Sequence, residues 1–164
     1  MKRGTFATTT LLDRICGIDL PACTSTIDAF SGTLRLDSVC GADYRARNPV
    51  VDNVFTSLVS FRPLYTAGCL KASNGDYCFA DALANTAAPE DLFIYSLPLG
   101  TNLPTSDAPT TSCSECKART MAVFAAAAGN ETQPLSRTFE AAAEQLNAGT
   151  YSLLLYPWLS ACEG

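Results

Sequence analysis

The sequence contains no histidine. That removes the base on which Ser–His–Asp hydrolysis depends, and one of the common zinc ligands with it. Charge is sparse as well, at 16% of 164 residues, with 11 Lys and Arg against 16 Asp and Glu. The net charge is −5, and Arg45 and Arg47 are the one close basic pair in mid-chain. Such a chain has no basic footprint for nucleic acid or an anionic membrane. No apolar run approaches the roughly 18 residues that would span a bilayer. No glycine-rich phosphate loop is present, and Asn74-Gly75-Asp76 is too short for an EF-hand calcium loop. No metal ion and no cofactor is implied.

What remains is apolar and rich in cysteine. Hydrophobic residues make up 48% of the chain, which argues against disorder, and the length is that of one domain. The eight cysteines are Cys16, Cys23, Cys40, Cys69, Cys78, Cys113, Cys116 and Cys162. With a single C-x-x-C and no histidine they read as disulfide partners rather than zinc ligands, and disulfides belong to a secreted chain. Eight cysteines allow on the order of a hundred pairings. The local expectations are Cys69–Cys78 across the Asn74-Gly75 turn, then Cys16–Cys23.

The pattern is helical. Asn48 caps a helix with Pro49 in its first turn. Val51, Val54/Phe55 and Leu58/Val59 then form one apolar face, and Pro63 marks a kink or a new start. Thr10-Leu11-Leu12-Asp13, Ser25-Thr26-Ile27-Asp28 and Ser112-Cys113-Ser114-Glu115 have the form of capping boxes opening further helices. Asp81 to Asn85 reads as a helical turn, and a last helix is expected over about residues 135–146. Between Pro89 and Pro109 four prolines predict a long ordered loop packed over helices, with Leu92-Phe93-Ile94-Tyr95 extended within it. The expected fold is one mostly α, disulfide-stapled domain of about five helices with this proline-rich loop.

A wider likeness adds to this. Cys40-Gly41-Ala42-Asp43-Tyr44, Asn48-Pro49, Pro63-Leu64-Tyr65, Cys69-Leu70 and Tyr77-Cys78-Phe79-Ala80 follow one another in order. So do Leu97-Pro98-Leu99-Gly100, Cys113-x-x-Cys116, Thr120-Met121-Ala122-Val123-Phe124 and Asn130-Glu131-Thr132-Gln133-Pro134-Leu135-Ser136. The set resembles a family of secreted, cysteine-rich fungal proteins that forms a domain of unknown function, over residues 10–147. The resemblance implies an extracellular or cell-surface location. Family members carry a signal peptide, whereas Met1-Lys2-Arg3 is followed by residues 4–10, too polar for its apolar core. A truncated or shortened start over residues 1–9 is therefore expected. The likeness stops after Asn147, leaving residues 148–164 as an atypical tail that intron read-through or a frame change would explain.

Three chemistries are open to the residues. Cys113 and Cys116, at a helix start where the dipole favours a thiolate, have the form of a thiol–disulfide oxidoreductase motif. The preferred alternative is that each ties the helix to a different partner, since no strand of a βαβ unit precedes Ser112. A carboxylate pair is available in kind from Asp43, Asp52, Asp76, Asp81, Glu90 and Asp91, but nothing in the sequence brings two together. Phe55, Phe61, Tyr65, Tyr77, Phe79, Phe93, Tyr95 and Phe124 line either a cavity for a lipid or small apolar ligand or, as is more usual, a core. Asn130-Glu131-Thr132 is a glycosylation acceptor just past a helix end. No catalytic residue is nominated. The preferred function is a non-enzymatic structural or interaction module facing cell-wall or host components.

Overall fold

A twenty-residue helix, Pro49–Gly68, is the axis against which most of the molecule packs. The computed structural model describes residues 3–104 and 114–146. Among them, eight α-helices follow one another: α1 (Arg3–Ile15), α2 (Leu20–Leu34), α3 (Gly41–Arg45), α4 (Pro49–Gly68), α5 (Cys78–Ala84), α6 (Glu90–Phe93), α7 (Glu115–Ala128) and α8 (Leu135–Leu146). A 3₁₀ segment, Ile94–Leu99, continues α6. The mostly α, disulfide-stapled architecture is as expected, and the short helices α3, α5 and α6 account for the count above five. The first helix takes in residues 3–9, and the tail from residue 147 lies outside the described residues.

The start of α4 follows from three adjacent residues. Arg47 has φ 58° and closes α3: its N–H reaches the Tyr44 carbonyl at 3.1 Å, while the Asn48 N–H reaches Asp43 at 3.0 Å. This is the double bond pattern of a Schellman stop. The Asn48 side chain then accepts from the Val50 N–H at 3.0 Å, satisfying a donor at the start of α4. One residue thus ends a helix and opens the next. Pro63 does not open a new helix: it is buried inside α4, which runs on to Gly68.

Three other starts differ from the sequence reading. Thr10-Leu11-Leu12-Asp13 lies inside α1, and Ser25-Thr26-Ile27-Asp28 inside α2. The cap of α2 is Asp19, which accepts from the Ala22 N–H at 3.1 Å, with Pro21 in the first turn where its missing donor costs nothing. Helix α7 begins two residues later than the Ser112 box implies. Ser114 caps it, accepting from the Lys117 N–H at 3.1 Å.

The proline-rich stretch is helical over its first half rather than extended. Ile94 and Leu97, three residues apart, are both fully buried, the spacing a 3₁₀ turn places on one side. Prolines remove donors, so the carbonyls of this stretch need partners from elsewhere. Ser60 of α4 donates to the Pro98 carbonyl. Thr138 of α8 donates to Leu97 at 2.9 Å, and Gln145 to Pro104 at 2.6 Å. Gly100, at φ 81°, turns the chain out of the segment.

The main core gathers Ile94, Tyr95 and Leu97 with Ala67, Met121, Phe124, Leu135, Ala142 and Leu146, joining α4, α7 and α8 around the 3₁₀ segment. Leu135, Ala142 and Leu146 form a buried stripe along α8, with Phe139 and Ala143 half-buried beside it. A smaller cluster of Leu12, Tyr77 and Ala80 holds α1 on α5, and Phe79 touches both clusters. The Asn74-Gly75 turn forms as expected, with Gly75 at φ 90° and a single antiparallel bridge between Lys71 and Tyr77.

Candidate functional site

The two bridges among the described residues run across the fold rather than along it. Cys16 pairs with Cys69, Cα atoms 5.6 Å apart, and Cys78 pairs with Cys116 at 5.2 Å. This corrects both local expectations. Cys69 and Cys78 stand at the two ends of the 70–78 hairpin, but one engages α1 and the other α7. Cys16 stands just past the end of α1 and Cys23 lies within α2, and among the described residues Cys23 and Cys40 are half-buried and unbridged. Cys113 and Cys162 lie outside the described residues.

The Cys78–Cys116 bridge forms one wall of a cavity of about 210 Å³ between α5, α6, the 3₁₀ segment and α7. Asp81 of α5 and Asn85, the residue that caps its end, stand one turn apart, and α7 presents Lys117 and Thr120. Asp91 enters from α6 and Tyr95 from the 3₁₀ segment. Asp91 and Lys117 are both buried, and Asn85 Nδ2 donates to Asp91 Oδ2 at 3.4 Å. The Tyr95 hydroxyl and Thr120 Oγ1 share a buried hydrogen bond of 3.2 Å. Two of the six carboxylates singled out in the sequence, Asp81 and Asp91, therefore face one space.

Burial governs the protonation of this site. It pushes the Lys117 ammonium below its ordinary value of 10.5, against the pull of Asp91. Asp81, though exposed, is partly desolvated by the walls around it and lies above 3.8, with Asp76 adding to the effect. Tyr95 is raised by burial, with Asp91 and Asp81 assisting and its bond to Thr120 opposing. The arrangement suits a small polar molecule held by carboxylate, amide and amine. Lys117 was not nominated from the sequence, yet a local signal exists. A lysine in the first turn of a helix opposes the dipole and calls for a compensating carboxylate.

Outside the cavity the start of α7 is clamped to the 70–78 hairpin. Glu115 accepts from the Ser73 N–H at 3.2 Å and from Arg119 at 3.1 Å, and Arg119 also donates to the Lys71 carbonyl. Those bonds, led by the one from Ser73, hold the Glu115 carboxyl below its ordinary 4.5.

The aromatic set divides. Phe124, Tyr95, Tyr77 and Phe55 are buried, and Tyr95 packs edge-on against Phe79 and Phe124, at 5.0 and 6.3 Å between ring centres. Phe93 is exposed, and of all eight rings Tyr95 alone lines this cavity. Asn130 is exposed in the turn after α7. Among the described residues no three His, Cys, Asp or Glu side chains gather as a metal site, and no helix is long and apolar enough to cross a membrane.

A family model described as Domain of unknown function (DUF7729) matches residues 1–150. No curated protein matches the chain, and no solved structure does.

Proposed function

The chain belongs to the family Domain of unknown function (DUF7729), and we propose that it is a secreted or cell-surface fungal protein acting as a non-enzymatic structural or interaction module. The observation that carries the reading is the pair of long-range bridges, which close loops of 53 and 38 residues. Bridges of that kind persist in oxidising compartments and are rare in the cytosol. Cell-wall or host components are the class of partner proposed.

The alternatives draw less support. Thiol–disulfide exchange by Cys113 and Cys116 needs a dithiol there, whereas Cys116 is bridged to a Cys78 that is 1% exposed. A lipid ligand needs an apolar lining, and the cavity beside that bridge carries Asp81, Asn85, Asp91 and Lys117.

Fractionation of cells carrying the tagged native gene tests the reading, with alkylation before lysis. The expected result is protein in the medium or wall fraction with Cys16, Cys69, Cys78 and Cys116 blocked from reagent. Cytosolic protein with those four thiols alkylated would overturn it.

A further inference from the structure

The chain has three lysines, Lys2, Lys71 and Lys117, and the last of them is set into the cavity beside the Cys78–Cys116 bridge. Lys117 as a whole is only 9% exposed, yet its Nζ keeps open surface. That nitrogen forms no hydrogen bond and no ion pair among the described residues. A lysine on a surface rests in water as an ammonium ion. One withdrawn from water gives up its proton more readily, and the free amine is a nucleophile for carbonyl carbon.

The groups around Lys117 decide what it can take. Asp81 faces the cavity from α5, Asp91 from α6 and Tyr95 from the 3₁₀ segment. On its own helix, Glu115 and Arg119 turn instead to the 70–78 hairpin. Helices α4 and α8, which also pack on α7, contribute no residue to the lining. Two carboxylates against one amine disfavour an anionic occupant. Asn85 and the hydroxyls of Tyr95 and Thr120 offer partners to hydroxyl groups. The volume of about 210 Å³ lies below the roughly 300 Å³ at which sites for drug-sized ligands begin. An occupant that meets all three conditions is short, uncharged and hydroxylated, and the amine calls for a carbonyl carbon on it.

We infer that Lys117 captures a short hydroxyaldehyde in this cavity as a reversible imine. The inference goes beyond the structural role proposed above and does not depend on where the protein resides. Nζ bonds to the carbonyl carbon while the C=O π pair moves to oxygen, and a proton passes from nitrogen to that oxygen. The carbinolamine so formed loses water, which carries off both amine protons and leaves a C=N bond. Uptake of one proton from solvent gives the iminium ion, whose charge Asp81 and Asp91 stabilise. Water reverses each step, so capture needs neither oxidant nor reductant.

The test uses the full chain with its disulfides formed and glycolaldehyde as the probe. Cyanoborohydride reduces the imine to a stable secondary amine and leaves disulfides intact, and peptide mass spectrometry reads the label at each lysine. Lys71, which is exposed, is the internal reference. Near neutral pH, Lys117 of the folded chain is expected to be labelled several-fold faster than Lys71. In urea, with the bridges kept, the two are expected to react alike. Burial lowers the Lys117 value from 10.5 and Asp91 opposes it, so labelling should rise with pH and level off below 10.5. Asp91→Asn should move that rise to lower pH. Pyruvate, an anionic carbonyl compound, is expected to label Lys117 no faster than Lys71. Lys117 labelled no faster than Lys71 by glycolaldehyde, a preference that survives unfolding, or pyruvate matching glycolaldehyde at Lys117 would overturn the proposal.

Discussion

Replacing Cys78 and Cys116 together by alanine tests how much of the stability lies in the unfolded chain. The bridge closes a loop of 38 residues. In the chain-entropy treatment a loop of that length restricts the unfolded state by about 4 kcal/mol at 25 °C. The Cys16–Cys69 loop of 53 residues gives nearly the same figure, since the dependence on length is logarithmic and the difference is only about 0.3 kcal/mol. The surroundings differ more than the loops do. Cys78 is 1% exposed, whereas Cys16 and Cys69 are half-buried, so removing the Cys78 sulfur also opens a small void. Urea unfolding followed by far-ultraviolet circular dichroism is the assay. Each double variant is expected to lose about 4 kcal/mol, or about 8–16 °C in Tm for a chain of this size. The Cys78/Cys116 variant should lose more. The two loops do not overlap in sequence, so the quadruple variant should lose about 8 kcal/mol, as much as the whole stability of many domains. Losses below about 1 kcal/mol for either pair would refute the chain-entropy reasoning. A larger loss from Cys16/Cys69 would refute the packing term.

Three further outcomes are expected. A Cβ at Gly41 would lie 2.6 Å from the Arg35 carbonyl oxygen and 2.8 Å from the Leu36 carbonyl carbon, so Gly41→Ala should cost about 1–3 kcal/mol by urea unfolding. Thr138→Val takes the donor from the buried Leu97 carbonyl and should cost about 1–3 kcal/mol, while the nearby exposed Ser136→Ala stays within about 0.5 kcal/mol. Glu115 has its folded-state pKa below 4.5, so its contribution is complete above that pH and is lost as pH falls through the lowered value. Glu115→Gln should therefore flatten the acid limb of the stability–pH curve, and an unchanged limb would show that the Ser73 and Arg119 bonds do not hold in solution.

What could be read in the sequence was local. Asn48-Pro49 names a helix start because the cap and the missing donor act within three residues. Leu135, Ala142 and Leu146 name a buried face because periodicity is a local property. Asp19 as a cap is harder to read, because the Ser25-Thr26-Ile27-Asp28 box offers a competing start a few residues on. Leu92-Phe93-Ile94-Tyr95 was misjudged because four apolar residues in a row carry no period to separate strand from helix. The bridges and the cavity are of another kind. Cys16 meets Cys69 across 53 residues of chain, and Asp81, Asp91 and Lys117 come from three elements. Nothing along the chain encodes those meetings except the whole fold.

The pair of hydroxyls that grip the proline-rich stretch has a consequence for synthesis. Ser60 precedes its acceptor by 38 residues, and Thr138 follows its acceptor by 41. A nascent chain that has just exposed Pro98 holds the first donor and lacks the second. At about 5–20 residues per second, the wait for Thr138 lasts roughly 2–8 s. During that interval Ile94 and Leu97, fully buried in the finished fold, have no α7 or α8 to cover them. The stretch around Ile94 and Leu97 is thus open to aggregation while translation continues, and is one on which a chaperone would act.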